Sequence, residues 1–376
     1  MLSISWQAKT KHGQPAPTHV EVDSAPISFA VMLVSAGIAA CIFMLALLLV
    51  IDFLHSRSDR RFWQYLSAAS LDDQAHAMGK VMSGAVANAD IVMFGTSGLR
   101  ESTLIDDDLN ARLRQLHASP VSVANLATGA QTLAETLLLA EAGPPQPGQT
   151  HILFFSISQL QHARPFHAIE QGGFMRSPET LIEKYEHRSI FPMDWNSFGV
   201  RLLLRVRAGR EQLHRHLKNR LKYEIHERVY GKLPPTYMPY RYQNHLPVKP
   251  ETKAELMQDY ASDLKQNIAN NVRYMESTLN AIADELRDHK CRLVIASPPE
   301  FNGEIQTAFP NEYGVLNEMV QRLRVNHQIE QLDLNTKIKW DPNDFVDLVH
   351  VTESGREKWS AALLEWLAQQ PLRQGH

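Results

Sequence analysis

The sequence predicts an α/β fold: a doubly wound, mainly parallel five-stranded sheet with a helical insertion and one N-terminal transmembrane helix. Three observations support it. An uncharged apolar run occupies residues 27–51, and short apolar runs alternate with helical patterns after residue 85. About 130 residues then separate the third predicted strand from the fourth, which is far longer than an ordinary crossover and indicates an insertion.

The composition excludes several classes of protein. With 44% hydrophobic residues, 21% charged residues and a formal net charge of −3, the chain is neither disordered nor a strongly basic nucleic-acid binder. Two cysteines are too few for a disulfide scaffold or a cysteine-rich zinc module. No group of histidines, cysteines or carboxylates has a recognised ligand spacing, so we expect no metal and no cofactor.

The apolar run predicts a membrane anchor. Its 25 residues would form a helix about 37 Å long, enough to cross a bilayer. A secretory signal is the rival interpretation, but its apolar core is only about 7–15 residues long. The predicted organisation is an N-terminal tail (1–26), a transmembrane helix (27–51), a juxtamembrane helical linker (52–87) and a domain (88–376).

The charges beside this run leave the topology open. Arg57, Arg60 and Arg61 follow the run closely, whereas Lys9 and Lys11 lie far from its other end. The positive-inside rule then places the C-terminal side in the cytoplasm. Alternatively, the three arginines contact anionic headgroups on the outer side.

Alternating strands and helices form the rest of the prediction. The predicted strands are 90–95, 121–126, 151–157, 292–297 and 329–334. The predicted helices are about 106–117, 130–142, 254–288, 312–325 and 354–369. Near-continuous apolar strands alternating with helices indicate a parallel sheet covered on both faces, with its ligand site at the carboxyl ends of the strands.

The predicted insertion, about 160–290, is largely helical and contains a basic stretch. Residues 201–222 hold eight lysines or arginines opposed by Glu211 alone, with apolar residues at helical spacing. This stretch is either a helix on anionic lipid or an anionic polymer, or a solvated helix that packs one face on the domain. Sparse aromatic residues argue against nucleic acid. Residues 231–251, rich in proline and tyrosine, predict an ordered loop.

The first candidate site follows the first predicted strand, in the segment GTSGLRE at 95–101. A turn at the end of a strand exposes the Ser97 hydroxyl where backbone N–H groups, including that of Gly98, converge, as a nucleophile and its oxyanion hole require. Such a segment is also typical of an ordinary turn. Arg100 either pairs with Glu101 or contacts an anionic substrate.

The second candidate site is the segment DLVH at 347–350, just before the last predicted helix. Asp347 and His350 can point to one site, where the carboxylate orients the imidazole and the imidazole takes a proton from a serine. By itself this spacing is also typical of a structural loop or a helix cap.

Together the two segments resemble the SGNH (GDSL-like) hydrolase superfamily, over about 88–160 and 290–370. In that superfamily the nucleophile follows the first strand of a flavodoxin-like sheet, and Asp-x-x-His precedes the final helix. The resemblance implies that Ser97 is the nucleophile, His350 the base and Asp347 the partner of the base.

The resemblance also implies an oxyanion hole, and here the sequence departs from the family. Gly129, and less securely Asn125, match the block after the second strand. After the third strand the family has Gly-x-Asn-Asp, whereas this chain has SISQ at 156–159. Ser158 or Gln159 would have to replace the missing asparagine.

These departures and the anchor are most similar to the DltD-like D-alanyl transfer proteins and the alginate O-acetylation proteins. That branch implies a single-pass inner-membrane protein with its domain outside the cytoplasm, a membrane-bound O-acyltransferase as partner, and a polysaccharide or teichoic-acid-like acceptor. The expected function is a serine acyltransferase or esterase. Two alternatives stay open: a non-catalytic glycan-binding or scaffold subunit, and an unrelated α/β membrane protein whose two segments never meet.

Overall fold

The computed structural model describes most of the chain, in two units, Met1–Ala46 and Leu47–His376. The described residues are 29–57, 60–70, 72–116, 121–159, 182, 184, 185, 188, 190, 191, 197–235, 247, 249–301 and 303–370. The first unit contributes the start of helix α1 (Phe29–Arg57). Judged over the described residues, none of the helices combines the length and apolarity needed to cross a membrane. Residues 27 and 28 of the predicted span lie outside the described part.

Five parallel strands form the sheet, in the order β2-β1-β3-β4-β5. They are β1 (Ile91–Phe94), β2 (Val123–Asn125), β3 (Thr150–Phe154), β4 (Arg292–Ser297) and β5 (Glu330–Asp333). The predicted five-stranded parallel sheet is therefore confirmed. Because β2 lies on one side of β1 and β3 on the other, the strand order reverses at β1, where a parallel sheet opens a crevice for ligands.

After α1, ten further α-helices have bounds within the described residues. They are α2 (Arg60–Ala69), α3 (Asp73–Met82), α4 (Ser97–Ser102), α5 (Asp106–Leu116), α6 (Leu133–Ala142), α7 (Phe198–Tyr230), α8 (Pro250–Asp288), α9 (Glu304–Ala308), α10 (Pro310–His327) and α11 (Glu353–Leu367). The predicted helices after residue 100 correspond to α5, α6, α8, α10 and α11. Where a turn was predicted after the first strand, the structure has α4.

Apolar residues alternate between the two faces of the sheet. Val92 and Phe94 belong to one core cluster with residues of α3, α6, α8 and α10. Ile91 and Met93 belong to another with residues of α4, α5 and α11. Helices therefore cover both faces, and the strands are buried throughout β1, β2 and β3.

Helices α2 and α3, which cover much of the predicted linker 52–87, pack tightly on each other. A Cβ at Gly79 would lie 2.5 Å from the Ser67 nitrogen and 2.9 Å from the Trp63 carbonyl oxygen, so only glycine allows this approach. Trp63 and Leu66 are buried in the same cluster as one face of the sheet. This packing holds the start of α3 beside the carboxyl edge of the sheet.

Within the predicted insertion, α7 and α8 are long helices. Helix α7 ends at Tyr230, and Gly231 follows it in the left-handed conformation at φ 63°, which glycine adopts without strain. Of the predicted loop 231–251, residues 236–246 and 248 fall outside the described residues. The basic stretch 201–222 lies entirely within α7, which spans Phe198–Tyr230.

Candidate active site

Ser97 is the first residue of α4, three residues after β1 ends. Thr96 before it is extended, so the chain turns sharply from strand to helix. A Cβ at Gly95 would lie 2.9 Å from the Leu99 side chain, and one at Gly98 would lie 3.1 Å from the Val349 carbonyl oxygen. The two glycines therefore let α4 lie close to the sheet and to the loop that contains His350.

The Asp347–His350 loop is fixed from both ends. The Val346 N–H donates to the His350 carbonyl oxygen at 2.8 Å, and the Thr352 N–H donates to that of Asp344 at 2.8 Å. Thr352 then begins α11 as its N-cap. The Phe301 N–H also donates to the Leu348 carbonyl oxygen at 3.0 Å, which joins this loop to the one after β4.

The structure brings Ser97, His350 and Asp347 into one hydrogen-bonded row. His350 Nε2 lies 2.8 Å from Ser97 Oγ, and His350 Nδ1 lies 2.7 Å from Asp347 Oδ2. The other carboxylate oxygen of Asp347 accepts the backbone N–H groups of Val349 at 2.9 Å and His350 at 2.7 Å. Asp347 is thereby held in one orientation by its own loop.

Burial of the Asp347 carboxyl disfavours its charged form, but hydrogen bonds outweigh this. The His350 side chain and the two backbone N–H groups hold the pKa of Asp347 below its ordinary value. An ionised Asp347 keeps the His350 proton on Nδ1 and leaves Nε2 free to accept the Ser97 proton. The row can therefore activate a serine hydroxyl; that it does so in catalysis stays a prediction.

Gly129, the predicted oxyanion-hole residue, lies beside this row with its N–H already engaged. Its N–H donates to Asp73 Oδ2 at 3.0 Å, and Arg100 donates to the same oxygen. Arg100 also pairs with Glu101. The next residue, Ala130, has a left-handed backbone at φ 53°, a strained conformation for alanine that recurs at functional sites. No local sequence pattern points to Asp73, which lies 56 positions away from Gly129.

The side chains of two other predicted oxyanion residues, Asn125 and Gln159, form hydrogen bonds with backbone groups close to them in the chain. The Asn125 side-chain oxygen accepts the Ala127 N–H at 3.0 Å. The Gln159 side-chain oxygen accepts the Ser156 N–H at 2.8 Å, and its amide donates to the Phe154 carbonyl oxygen at 3.2 Å. Neither residue lines the cavity that contains Ser97. The Ser158 side chain lies outside the described part.

A cavity of about 890 Å³ opens at Ser97, within the size range of ligand sites. Ser97 and Arg100 of α4, residues 129–130, and the start of α3 form one side of it. The other side is α7, including Arg215, Lys218 and Lys222. The basic stretch is visible in the sequence, but its position at the candidate site is not, because helical spacing does not show what a helix face contacts.

Glu300 is a buried acid on the loop after β4, next to the loop that carries His350. Burial, helped by the charge of Asp333, raises the pKa of Glu300 to about 8. The Tyr313 hydroxyl donates to Glu300. Glu300 is therefore mostly protonated at pH 7 and adds little negative charge beside the loop that carries His350.

The described residues contain no group of three or more histidines, cysteines or carboxylates placed to hold a metal ion. No protein-family model matches the chain, and no curated protein matches it.

Proposed function

We propose that the protein is a serine acyltransferase or esterase that works through an acyl ester on Ser97. The observation that carries this proposal is the continuous row Ser97–His350–Asp347, whose serine lines the cavity. As Ser97 Oγ attacks the carbonyl carbon of an acyl donor, its proton passes to His350 Nε2, and His350 then protonates the leaving group.

In the second half of the reaction, water or a sugar hydroxyl attacks the Ser97 ester and gives its proton to His350. The bond between the acyl carbon and Ser97 Oγ then breaks, and His350 returns its proton to Ser97 Oγ. Water yields a free acid, and a sugar hydroxyl yields a new ester. The same three residues thus support hydrolysis and transfer, and the second acceptor decides which one occurs.

The substrate that we propose is an O-acyl group of a cell-envelope or secreted polysaccharide. The support is the resemblance to membrane-anchored SGNH proteins, together with the apolar run at 27–51, proposed as a single-pass inner-membrane anchor with the domain outside the cytoplasm. A membrane-bound O-acyltransferase is the proposed partner. A cavity of about 890 Å³ suits a segment of a polysaccharide.

The test is the substitution Ser97→Ala in the producing cell, with Ser262→Ala as the control on an exposed position of α8. We expect Ser97→Ala to change the amount of O-acyl groups on the envelope glycan, measured by mass spectrometry, and Ser262→Ala to leave it unchanged. Unchanged acylation in Ser97→Ala cells at normal protein levels would contradict the proposal.

A second candidate is a non-catalytic glycan-binding or scaffold subunit of an acyltransferase complex. It is favoured by one observation: the Gly129 N–H is engaged by Asp73 and the Gln159 amide by its own turn, so two expected oxyanion donors are not directed at a substrate. An active-serine probe discriminates between the two, because covalent labelling of Ser97 by a fluorophosphonate excludes the second candidate.

A further inference from the structure

Helix α7 presents a polar face with three lysine or arginine side chains to the cavity that contains Ser97. The α7 residues that line the cavity are Glu211, His214, Arg215, Lys218, Asn219 and Lys222. They recur at intervals of three and four, so they share one side of the helix. The Ser97–His350–Asp347 row uses none of them, and their role is not explained by the acyl transfer itself.

The acidic residues of the cavity already have arginine partners. Asp72 accepts from Arg215 at 3.0 Å, and Glu211 accepts from Arg210 at 2.8 Å. Asp73 accepts from Arg100. These ion pairs neutralise the negative charges of the cavity wall.

Lys218 and Lys222 are different. Within the part of the chain that the structure describes, neither ammonium group has a carboxylate at ion-pair distance, and both side chains are exposed. One helical turn separates them, so the two charges act on the same region of the cavity. Two unneutralised cations in a concave wall attract anions more strongly than the same charges on a flat surface.

We propose that Lys218 and Lys222 bind the anionic groups of the acyl acceptor, which is therefore an anionic glycan. Its carboxylates or phosphates contact the two lysines while one of its hydroxyls approaches Ser97 in the same cavity. The inference rests on the proposed acyl transfer for the role of Ser97, but anion binding by the two lysines is measurable without it.

A membrane surface is the competing ligand for a basic helix. Helix α7 also has exposed apolar side chains at Leu217, Leu221 and Ile225, as lipid-binding helices do. Lys218 and Lys222, however, line a concave cavity with Ser97, into which a polymer chain fits and a flat bilayer does not. The observations therefore favour the polymer, and vesicles serve as one arm of the test.

The experiment measures binding to the full chain in neutral detergent. The probes are a hexamer of galacturonate, a hexamer of glycerol phosphate, a neutral glucose hexamer, and vesicles of phosphatidylglycerol. The variants are Lys218→Gln with Lys222→Gln, the charge-retaining Lys218→Arg with Lys222→Arg, and a control, Lys265→Gln with Lys337→Gln, in which two exposed lysines outside the cavity are changed.

We expect at least one anionic hexamer to bind and the neutral hexamer to bind at least tenfold more weakly. The glutamine pair should weaken anionic binding tenfold or more, while the arginine pair and the control retain it. Galacturonate and glycerol phosphate distinguish carboxylate from phosphate as the source of the charge. Equal binding of neutral and anionic hexamers, unchanged binding in the glutamine pair, or binding to the vesicles alone would overturn the inference.

Fluorophosphonate labelling of the wild-type chain in the same preparation tests acyl transfer through Ser97 separately from anion binding by the two lysines. If Ser97 is labelled but anion binding does not depend on the lysines, the inference fails and the acyl transfer stands. If anion binding depends on the lysines but Ser97 is not labelled, the anion site stands and the acyl transfer fails.

Discussion

His350 Nε2 lies 2.8 Å from Ser97 Oγ, although 253 positions separate the two residues in the chain. The fold brings them together, because Ser97 follows the carboxyl end of β1 and His350 precedes α11, which packs on one face of the same sheet. The whole insertion between β3 and β4 lies between them in sequence. This contact is the structural basis for the proposed chemistry.

Asp347→Asn should abolish most of the reactivity of Ser97. An asparagine of the same size removes the charge that holds the His350 proton on Nδ1, so Nε2 no longer accepts the serine proton. We expect the rate of fluorophosphonate labelling to fall roughly a hundredfold or more. Asp288→Asn, at an exposed position at the end of α8, is the control and should label at the wild-type rate; an unchanged rate in Asp347→Asn would contradict the role of the carboxylate.

Asp73→Asn should speed the labelling. The Asp73 carboxylate accepts the Gly129 N–H, so its negative charge lies where a developing oxyanion would be stabilised, and like charges repel there. Asparagine keeps the acceptor oxygen and removes the charge. We expect the rate to rise about tenfold, which corresponds to about 1.4 kcal/mol in the barrier.

Asp72→Asn is the matched control for this substitution. Asp72 also lines the cavity, but its side chain caps α3 and pairs with Arg215, and asparagine is an equally good cap. Its labelling rate should stay near that of the wild type. A slower rate in Asp73→Asn would mean that Asp73 supports the site instead of opposing the oxyanion.

Glu300 should make the folded state less stable as the pH rises. The pKa of Glu300 is about 8 when folded and close to 4.5 when unfolded, so between these values the folded state holds a proton that the unfolded state releases. Stability from this group is therefore present at low pH and is lost as the pH rises from about 5 to about 8. The loss is at most about 5 kcal/mol, since one pKa unit corresponds to about 1.4 kcal/mol.

Glu300→Gln isolates this effect because glutamine cannot titrate and keeps an acceptor for Tyr313. Urea unfolding of both proteins at pH 5, 7 and 9 should show a decline with pH that is smaller in the variant by the contribution of Glu300. Parallel curves for the two proteins would show that Glu300 is ionised in the folded state.

Gly355→Ala should destabilise the domain and disturb the triad loop. A Cβ at Gly355 would lie 2.2 Å from the Asp344 carbonyl oxygen and 2.9 Å from the Val351 Cβ, so the loop before α11 must move. We expect a loss of roughly 2–3 kcal/mol in the free energy of unfolding, measured by urea titration. Gly314→Ala in α10 is the control: a Cβ there meets nothing within 4 Å, and the helix should gain about 0.5–1 kcal/mol. Equal effects of the two substitutions would contradict the packing argument.

The strands and the long helices could be predicted because their signals are local. The near-continuous apolar runs predicted the buried strands β1, β3 and β4, and the helical stretches beside them predicted α8 and α10. Helix α4 was not predicted, because its six residues are too few for a periodic pattern. Its position is fixed instead by glycines that allow close contact with the sheet.

The composition of the cavity could not be predicted, because it depends on contacts between distant segments. The Asp73–Gly129 hydrogen bond and the orientation of α7 toward Ser97 join parts of the chain with no shared local pattern. The basic stretch was visible in the sequence, but whether Lys218 faces solvent, lipid or a cavity is set by packing. The two segments of the triad could be identified from their own residues, whereas the expectation that they form one site came from the resemblance.

The most direct test of the central claim is to label the wild-type chain and His350→Gln with a fluorophosphonate and to identify the modified residue by mass spectrometry. Ser97 should be labelled in the wild type, and the rate should fall at least a hundredfold in His350→Gln, since the base that accepts the serine proton is lost. Absence of label on Ser97 in folded wild-type protein, or labelling that does not depend on His350, would contradict it.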